Sequence, residues 1–327
     1  MLRNEVVLSL LTLAFLINSS AFAGDEQAEL AGLARKFHIS ISQAKTFPVK
    51  TSDKDITGKL PTGEHVRSFS KMLCSELSFY PPELLQRAGV WEIVLCEDLE
   101  YEHRRVALPE YHQHILFFDI DCDIYQDVYF RGAIHHEFYH MLDFADDGTF
   151  ADKDWCLLNP PGFHYGAQGT SDELCTSPFA GRVRFDLPGF LNVYSTSAVE
   201  EDKAEIYSNL IVHGKQMDQF AARDPIIRAK IARLKAEFAR FCPEITDAFW
   251  TAGRAIDRPS NWPTVVPQVV VPKTSEDLTN IRPNDARSRR VGTVLFEVAC
   301  PVVVAGLCMI YQAKRRRQRT RRPGVAI

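Results

Sequence analysis

The sequence predicts a domain of the α+β class, in which two short buried strands come before three long helices. Residues 90–95 and 114–120 are rich in β-branched and aromatic side chains, as buried strands are. Residues 129–144, 199–212 and 224–241 carry apolar side chains at helical spacing. Strands followed by a run of helices, rather than a regular alternation of the two, are typical of this class.

The regions around these elements are less regular. Apolar residues at helical spacing, including Leu30, Leu33 and Phe37, indicate some helix within residues 25–54. Residues 146–188 are rich in Gly, Pro, Asp and Asn and have no sustained apolar period, which predicts a long ordered loop. Loops of this length in compact domains are usually functional or held by a cross-link.

The N-terminal end has the pattern of a secretory signal peptide. Residues 6–17 are apolar and follow Arg3, and residues 18–23 end in the Ala-Phe-Ala form of a cleavage site. We therefore predict that residues 1–23 are removed and that the mature chain begins at Gly24. A buried N-terminal helix is the competing interpretation, but it does not explain the small residues that follow the apolar run.

The C-terminal end has the pattern of a membrane anchor. Five prolines spaced along residues 254–290 predict a semi-rigid stalk. Residues 291–311 are apolar and long enough to cross a bilayer once. The seven Lys and Arg residues within the tail, residues 312–327, mark the cytoplasmic side of such a span. Residues 24–253 would then form an exported domain, although a glutamate and a proline within the apolar run leave a short amphipathic anchor open.

The net charge and the cysteine spacing exclude some functions for the exported domain. The whole chain has a net charge of −4, and removing the seven positive charges of the tail leaves about −11, which argues against nucleic acid as a partner. Six cysteines lie in the predicted domain, an even number that permits three disulfides, and Cys156 with Cys175 could cross-link the long loop. None has C-x-x-C spacing, which argues against a cysteine zinc site or a thioredoxin-like centre.

The helix predicted over residues 129–144 contains the string His136-Glu137-Phe-Tyr-His140. Side chains four residues apart project from one face of a helix, so both imidazoles can bind one metal ion. Glu137 lies one residue along, beside the metal rather than on it, where it can take a proton from metal-bound water. His135 has no histidine four residues on, which makes it a packing or surface residue. The pattern predicts a zinc site with Glu137 as general base.

A catalytic zinc takes three protein ligands and keeps one open position, so a third ligand must come from elsewhere. His164 is the next histidine, but it lies in the Gly/Pro-rich loop without helical spacing to the motif. Residues 199–212 supply Glu200, Glu201 and Glu205, of which the last two share a helix face. Glu200 competes with Glu201 for the ligand role, but it has no acidic partner four residues on.

The string Glu201-Asp-Lys-Ala-Glu205 has the form E-x-x-A-E, and Tyr194 lies seven residues before its first glutamate. Together with the HExxH string, this resembles the catalytic domain of anthrax lethal factor and related bacterial zinc-binding metallopeptidases, which are gluzincin-type enzymes. Residues 155–166, with the sequence W-C-L-L-N-P-P-G-F-H-Y-G, are similar to the W…NPxGFxYG segment of exported members of that group.

The resemblance implies an α+β domain with a zincin-like metallopeptidase fold built around an HExxH active-site helix. It implies that zinc is bound by His136, His140 and Glu201. It also implies that Tyr194 reaches either the metal or the developing oxyanion, and that Glu205 supports a ligand. The implied activity is hydrolysis of peptide bonds outside the cytoplasm, with zinc-activated water and a glutamate base.

Two other functions stay open from the sequence. One is a catalytically inert zincin-fold binding or adhesion module on the cell surface, and the other is a zinc hydrolase that acts on a non-peptide amide. The complete set of Glu137, both histidines and Glu201 favours an enzyme, because an inert descendant has no chemical need for all four. For a peptidase, the strand at residues 115–120 could pair with an extended substrate.

Two groups of aspartates lie near the motif. The run Asp119-x-Asp121-x-Asp123 lacks the glycine and the terminal glutamate of an EF-hand loop. The second group, within residues 143–154, follows the second motif histidine without a recognisable ligand spacing. We predict that both groups are solvated loops.

Overall fold

The computed structural model describes residues 25–44, 46–50, 55–121, 127–174, 181 and 186–258. The predicted signal peptide, membrane span and basic tail lie outside these residues, as does the stalk after residue 258. Among the described helices, none combines the length and the apolar character that crossing a bilayer requires. The described chain is a mixed α+β domain, as the sequence predicts.

A mixed sheet forms one part of the domain. Its strands are β1 (Ser40–Gln43), β2 (Thr57–Lys59), β3 (Glu92–Tyr101), β4 (His103–Arg104), β5 (Ala107–Glu110) and β6 (Ile115–Asp119). The main order is β1-β3-β6-β5, in which β1, β3 and β6 run parallel and β5 runs antiparallel to β6. The far half of β3 also pairs with β2 and β4. The two predicted buried strands are confirmed as β3 and β6.

Strand β6 lies inside the sheet, with β3 on one side and β5 on the other. Its backbone is already paired, so the expectation that residues 115–120 bind an extended substrate is wrong. On that side of the sheet the edge strand is β5, which no described strand covers on its outer side, and β1 forms the opposite edge. Asp119 donates its N–H to Val106 O at 2.8 Å. In an antiparallel ladder of this register, Ala107 and Pro109 turn their backbone groups toward the open edge.

Ten helices and one short 3₁₀ turn complete the part of the chain that the structure describes. The helices are α1 (Asp25–Phe37), α2 (Gly63–Leu77), α3 (Pro82–Arg87), α4 (Asp127–Asp147), α5 (Lys153–Cys156), α6 (Ser171–Leu174), α7 (Val199–Val212), α8 (Gly214–Arg223), α9 (Pro225–Phe241) and α10 (Asp247–Ala255), and the 3₁₀ turn is Tyr194–Thr196. The three long helices predicted from apolar spacing are confirmed as α4, α7 and α9. Asp224 caps α9 by accepting from the N–H groups of Ile226 and Ile227.

Aromatic side chains hold α4 between the sheet and α7. Phe130 of α4 packs on Phe69 of α2 at a ring-centroid distance of 5.4 Å, and Phe69 packs on Phe118 of β6 at 5.3 Å. On the other side, Tyr139 of α4 meets Tyr207 of α7 at 5.3 Å. Burying a side chain as large as Phe contributes about 1.5–3 kcal/mol. The two helices are thereby fixed side by side, and residues on their facing surfaces meet.

The described cysteines carry free thiols: Cys74, Cys96, Cys156 and Cys242. The expectation of three disulfides, including a Cys156–Cys175 cross-link of the long loop, is therefore wrong. Cys96 lies inside the sheet, where its thiol donates to the carbonyl oxygen of Phe118 rather than facing another sulfur. The long loop is held instead by hydrogen bonds to α7.

Two aspartates near the motif are buried and paired rather than solvated. Asp119 is fully buried and accepts from Arg104 Nε at 2.9 Å. Asp143 lies on α4 and accepts from Lys203 Nζ of α7 at 2.9 Å. A charge taken out of water is costly unless it is paired, and each carboxylate has its own cation. The prediction of solvated loops is wrong for these two residues, whereas the exposed members of the second group are Asp146, Asp147 and Asp154.

Candidate metal centre

His136 and His140 project from the face of α4 that turns toward α7. Their exposed fractions are 8% and 5%, and their Nε2 atoms lie 3.1 Å apart. The rotation of the helix is fixed because Ile134, Phe138 and Met141 are buried in the hydrophobic core. The same local periodicity that buries those three side chains therefore directs both imidazoles to one point.

Glu201 lies in the first turn of α7 and meets the two imidazoles there. Its Oε2 is 3.0 Å from His136 Nε2 and 3.4 Å from His140 Nε2. Within the part of the chain that the structure describes, these residues form the one group of three or more His, Cys, Asp and Glu side chains close enough to hold a metal ion. The structure thus brings together the three ligands predicted from the sequence.

The spacing of these atoms fits tetrahedral zinc coordination. Ligand bonds of about 2.0–2.2 Å place neighbouring atoms of a zinc tetrahedron about 3.3–3.6 Å apart. The three observed separations of 3.0, 3.1 and 3.4 Å are close to that edge length. Two imidazoles and one carboxylate are also a donor set that catalytic zinc sites use, with a fourth position left for water or substrate. The residues present therefore fit a zinc ion.

Glu205 supports His136 from the side away from the ligand atoms. Its Oε1 lies 3.3 Å from His136 Nδ1, and its Oε2 accepts from Asn192 Nδ2 at 2.7 Å. Asn209 Nδ2 adds a hydrogen bond to the Glu205 carbonyl oxygen at 2.9 Å. A carboxylate on Nδ1 fixes the tautomer and the ring orientation, so that Nε2 is available to a metal. His140 Nδ1 is buried without such a partner among the described residues.

Glu137 and Tyr194 border the same position. Glu137 follows His136 on α4 and is half-buried. Tyr194 begins the 3₁₀ turn before α7, and its ring centroid lies 6.2 Å from that of His136. Both side chains are partly exposed, unlike the three buried ligand candidates. Both side chains are therefore accessible to solvent next to the three-residue group.

Burial and the neighbouring imidazoles shift the pKa values of Glu137 and Glu201 in opposite directions. Burial raises the pKa of Glu137, and the charges of His136 and His140 offset that rise only in part. Burial also acts to raise the pKa of Glu201, but His140 and His136 outweigh it and hold that pKa well below its usual range. Glu201 therefore stays ionised, as a metal ligand must, while Glu137 has the raised pKa that suits a proton acceptor.

The other candidates from the sequence lie outside the three-ligand group. His164 is exposed in the loop, and Glu200 is half-buried with its carboxylate outside the group. Sequence reasoning missed Tyr111, which follows β5. Its ring centroid lies 5.4 Å from that of Phe150, which in turn lies 6.3 Å from that of His140. Burial, followed by the charges of Glu137 and Glu201, raises the pKa of Tyr111 well above its usual value. No spacing rule connects a residue after an edge strand to a motif on a helix, so no sequence signal could have found it.

Comparison with known proteins gives no match to this sequence and a similarity to one solved structure. No protein-family model matches the chain, and no curated protein matches it either. Among solved structures, the chain is similar to a Bacteroides caccae protein provisionally described as a zinc-binding metallo-peptidase, with 15% sequence identity and a TM-score of 0.49. That alignment covers 72% of this chain and 94% of the other. The resemblance to lethal factor stays a prediction, and the chemistry of the site rests on its own geometry.

Proposed function

We propose that the chain is a zinc-dependent metallopeptidase. The observation that carries the proposal is the convergence of His136, His140 and Glu201 from two packed helices, with ligand atoms 3.0–3.4 Å apart. Placing two imidazoles and a carboxylate in a buried site costs desolvation free energy, which a bound cation would offset. Glu137 is the next residue on α4 after His136 and is partly exposed, which supports its assignment as the general base.

The residues around the metal position divide the steps of peptide hydrolysis among them. Bound zinc would supply Lewis acidity toward a water molecule and the scissile carbonyl. Glu137 takes the proton of the attacking water and delivers it to the leaving amine, a role that its raised pKa favours. Tyr194 donates its O–H to the negative charge that develops on the carbonyl oxygen. Glu205 holds His136 in the orientation that leaves Nε2 free for the metal.

The open edge of β5 supports peptides as the substrate class. This strand lies beside α4, and Ala107 and Pro109 turn backbone groups toward its outer side. An extended peptide can add to such an edge through main-chain hydrogen bonds. Pro109 has no N–H, so the edge accepts but does not donate at that position, which limits unwanted pairing with other chains.

The sequences of the two chain ends support a location outside the cytoplasm. The apolar run with its Ala-Phe-Ala site supports export, and residues 291–311 followed by the basic tail support a single-pass anchor with the C-terminus inside. Mass spectrometry of the mature chain and protease accessibility in intact cells test this part of the proposal. A chain that keeps residues 1–23, or a domain that added protease does not reach, would contradict it.

The matched pair Glu137→Gln and Glu200→Gln tests the activity. Wild type loaded with zinc is expected to cleave members of a mixed peptide library. Glu137→Gln keeps its zinc and loses about 10²–10⁴-fold in kcat/KM, which is the usual contribution of a general base. Glu200→Gln, the same change at the neighbouring acid outside the ligand group, keeps its activity. Full activity in Glu137→Gln overturns the role of that residue, and zinc-loaded wild type that cleaves nothing points to the inert binding module.

A further inference from the structure

The helix turn that carries Glu201 lacks the usual N-terminal cap. The N-cap residue of α7 is Ala198, which has an extended backbone and makes no side-chain hydrogen bond to the turn. Ser, Thr, Asp and Asn are preferred there because their side chains bind one of the unpaired N–H groups, and Ala is among the poorest choices. The first turn of α7 is therefore prone to fray unless another contact holds it.

Asp202, the residue after Glu201, supplies such a contact. It is fully buried, and its Oδ2 accepts three hydrogen bonds. Trp155 Nε1 donates at 2.8 Å, Tyr165 OH at 2.6 Å and Lys230 Nζ at 2.6 Å. Trp155 lies on α5 and Tyr165 in the loop that follows it, both within the region predicted as the long loop, and Lys230 lies on α9. A single carboxylate thus joins the start of α7 to two other parts of the domain.

The partners of Asp202 are themselves fixed. Lys230 is fully buried, donates a second hydrogen bond to Gly189 O at 2.6 Å, and lies 3.9 Å from the ring centroid of Phe190. Asn159 Nδ2 donates to Tyr165 OH at 3.0 Å. The side chains of Trp155, Asn159 and Tyr165 therefore converge on Asp202, the residue next to the proposed metal ligand Glu201.

The same loop also packs on the turn that carries Tyr194. Gly166 donates its N–H to Thr196 O at 3.0 Å, and the Oγ atoms of Ser171 and Ser197 lie 3.0 Å apart. Thr196 belongs to the 3₁₀ turn, and Ser197 follows it directly. The loop therefore contacts the whole segment from the 3₁₀ turn to the first turn of α7.

We propose that Asp202 is a positioning residue for the metal centre. By gathering its three donors, it holds the uncapped first turn of α7, and with it Glu201, facing the two histidines of α4. This role rests on the proposed function, because the position of Glu201 matters to chemistry only if that carboxylate binds zinc. A purely structural pair of buried charges would stabilise the whole domain without a particular effect on this turn.

The matched variants Asp202→Asn and Asp119→Asn separate these two roles. Both aspartates are fully buried and bound to a basic side chain, but Asp119 lies on the sheet. In zinc-free protein, Asp202→Asn is expected to speed amide hydrogen exchange in the first turn of α7, where the Asp202 N–H binds Ala198 O. Its zinc affinity falls about 10–100-fold, as for the loss of other groups that orient a ligand. Asp119→Asn changes neither quantity more than about threefold.

Two further variants keep the test decisive if Asp202→Asn does not fold. Tyr165→Phe removes one of the three donors and leaves the pair with Lys230, so a smaller loss of zinc affinity, about 3–10-fold, is expected. Ala198→Asp in the Tyr165→Phe background adds the missing cap and is expected to recover most of that loss. Wild-type exchange and zinc affinity in Tyr165→Phe, or no recovery on adding the cap, overturns the role of Asp202. Wild type that binds no zinc defeats the proposed function instead, while the exchange measurement still reports on the turn.

Discussion

Replacing Glu201 is the most direct test of the ligand set. The carboxylate is 8% exposed, and its Oε2 lies 3.0 and 3.4 Å from the two imidazole nitrogens. Zinc binding to sites with four protein ligands contributes about 10–16 kcal/mol, which is about 2.5–4 kcal/mol for each ligand. Since 1.4 kcal/mol is a factor of ten, Glu201→Ala is expected to weaken zinc binding by roughly 10²–10³-fold.

Glu200→Ala is the matched control, because it removes the neighbouring carboxylate from the same helix turn. Its carboxylate is outside the three-ligand group, so a change of less than about threefold is expected, from the loss of a nearby negative charge. Zinc affinity is measured at pH 7 by competition with a chromophoric chelator, and folding is checked by circular dichroism. Equal zinc affinity in Glu201→Ala and wild type refutes the ligand assignment, and a large loss in Glu200→Ala alone transfers the role to that residue.

Three further outcomes follow from the structure. Zinc at about 1,000 times its Kd stabilises the folded domain by about 4 kcal/mol, which raises the Tm of a domain of this size by about 8–16 °C in a thermal scan. His164→Ala is expected to keep this shift in Tm, and His140→Ala is expected to lose it. A zinc-dependent rise in Tm in both variants refutes the site. Burial alone would raise the pKa of Glu76, but His135 and Arg258 lower it to about 2 from 4.5, so its stabilisation of about 3 kcal/mol is present above pH 4.5 and is lost as the pH falls toward 2. Urea unfolding of Glu76→Gln across this range should show a flattened acid limb, and a wild-type limb would contradict it. Gly189→Ala should lower the free energy of unfolding by about 2–4 kcal/mol, because φ is 85° and the new Cβ would lie 2.6 Å from Ile226 Cγ2. Gly148→Ala, where φ is 74° and the added Cβ meets open space, should lower it by about 1–2 kcal/mol. Equal losses in the two variants would refute the clash with Ile226.

Charged pairs between distant segments could not be predicted from the sequence. Glu76 of α2 is fully buried against Arg131 and His135 of α4, and it also binds Arg258, which is 182 residues away in the chain. No local pattern indicates such a partner, so His135 could be described from sequence only as a packing or surface residue. Asp143 and Lys203 are a second example, because each is a charged helix residue that, taken by itself, would be expected on a solvent-exposed helix face.

The sequence by itself determined the features that depend on local periodicity. The bounds of α7 and the shared face of His136 and His140 follow from side-chain spacing on a helix, which is set within a few residues. Tertiary structure alone decided that β5 rather than β6 is the edge strand, that the described cysteines are free, and that Asp202 joins the loop to α7. Those features depend on which distant surfaces are buried against each other. The packing of the whole core determines these contacts, and no short stretch of sequence contains enough information to predict them.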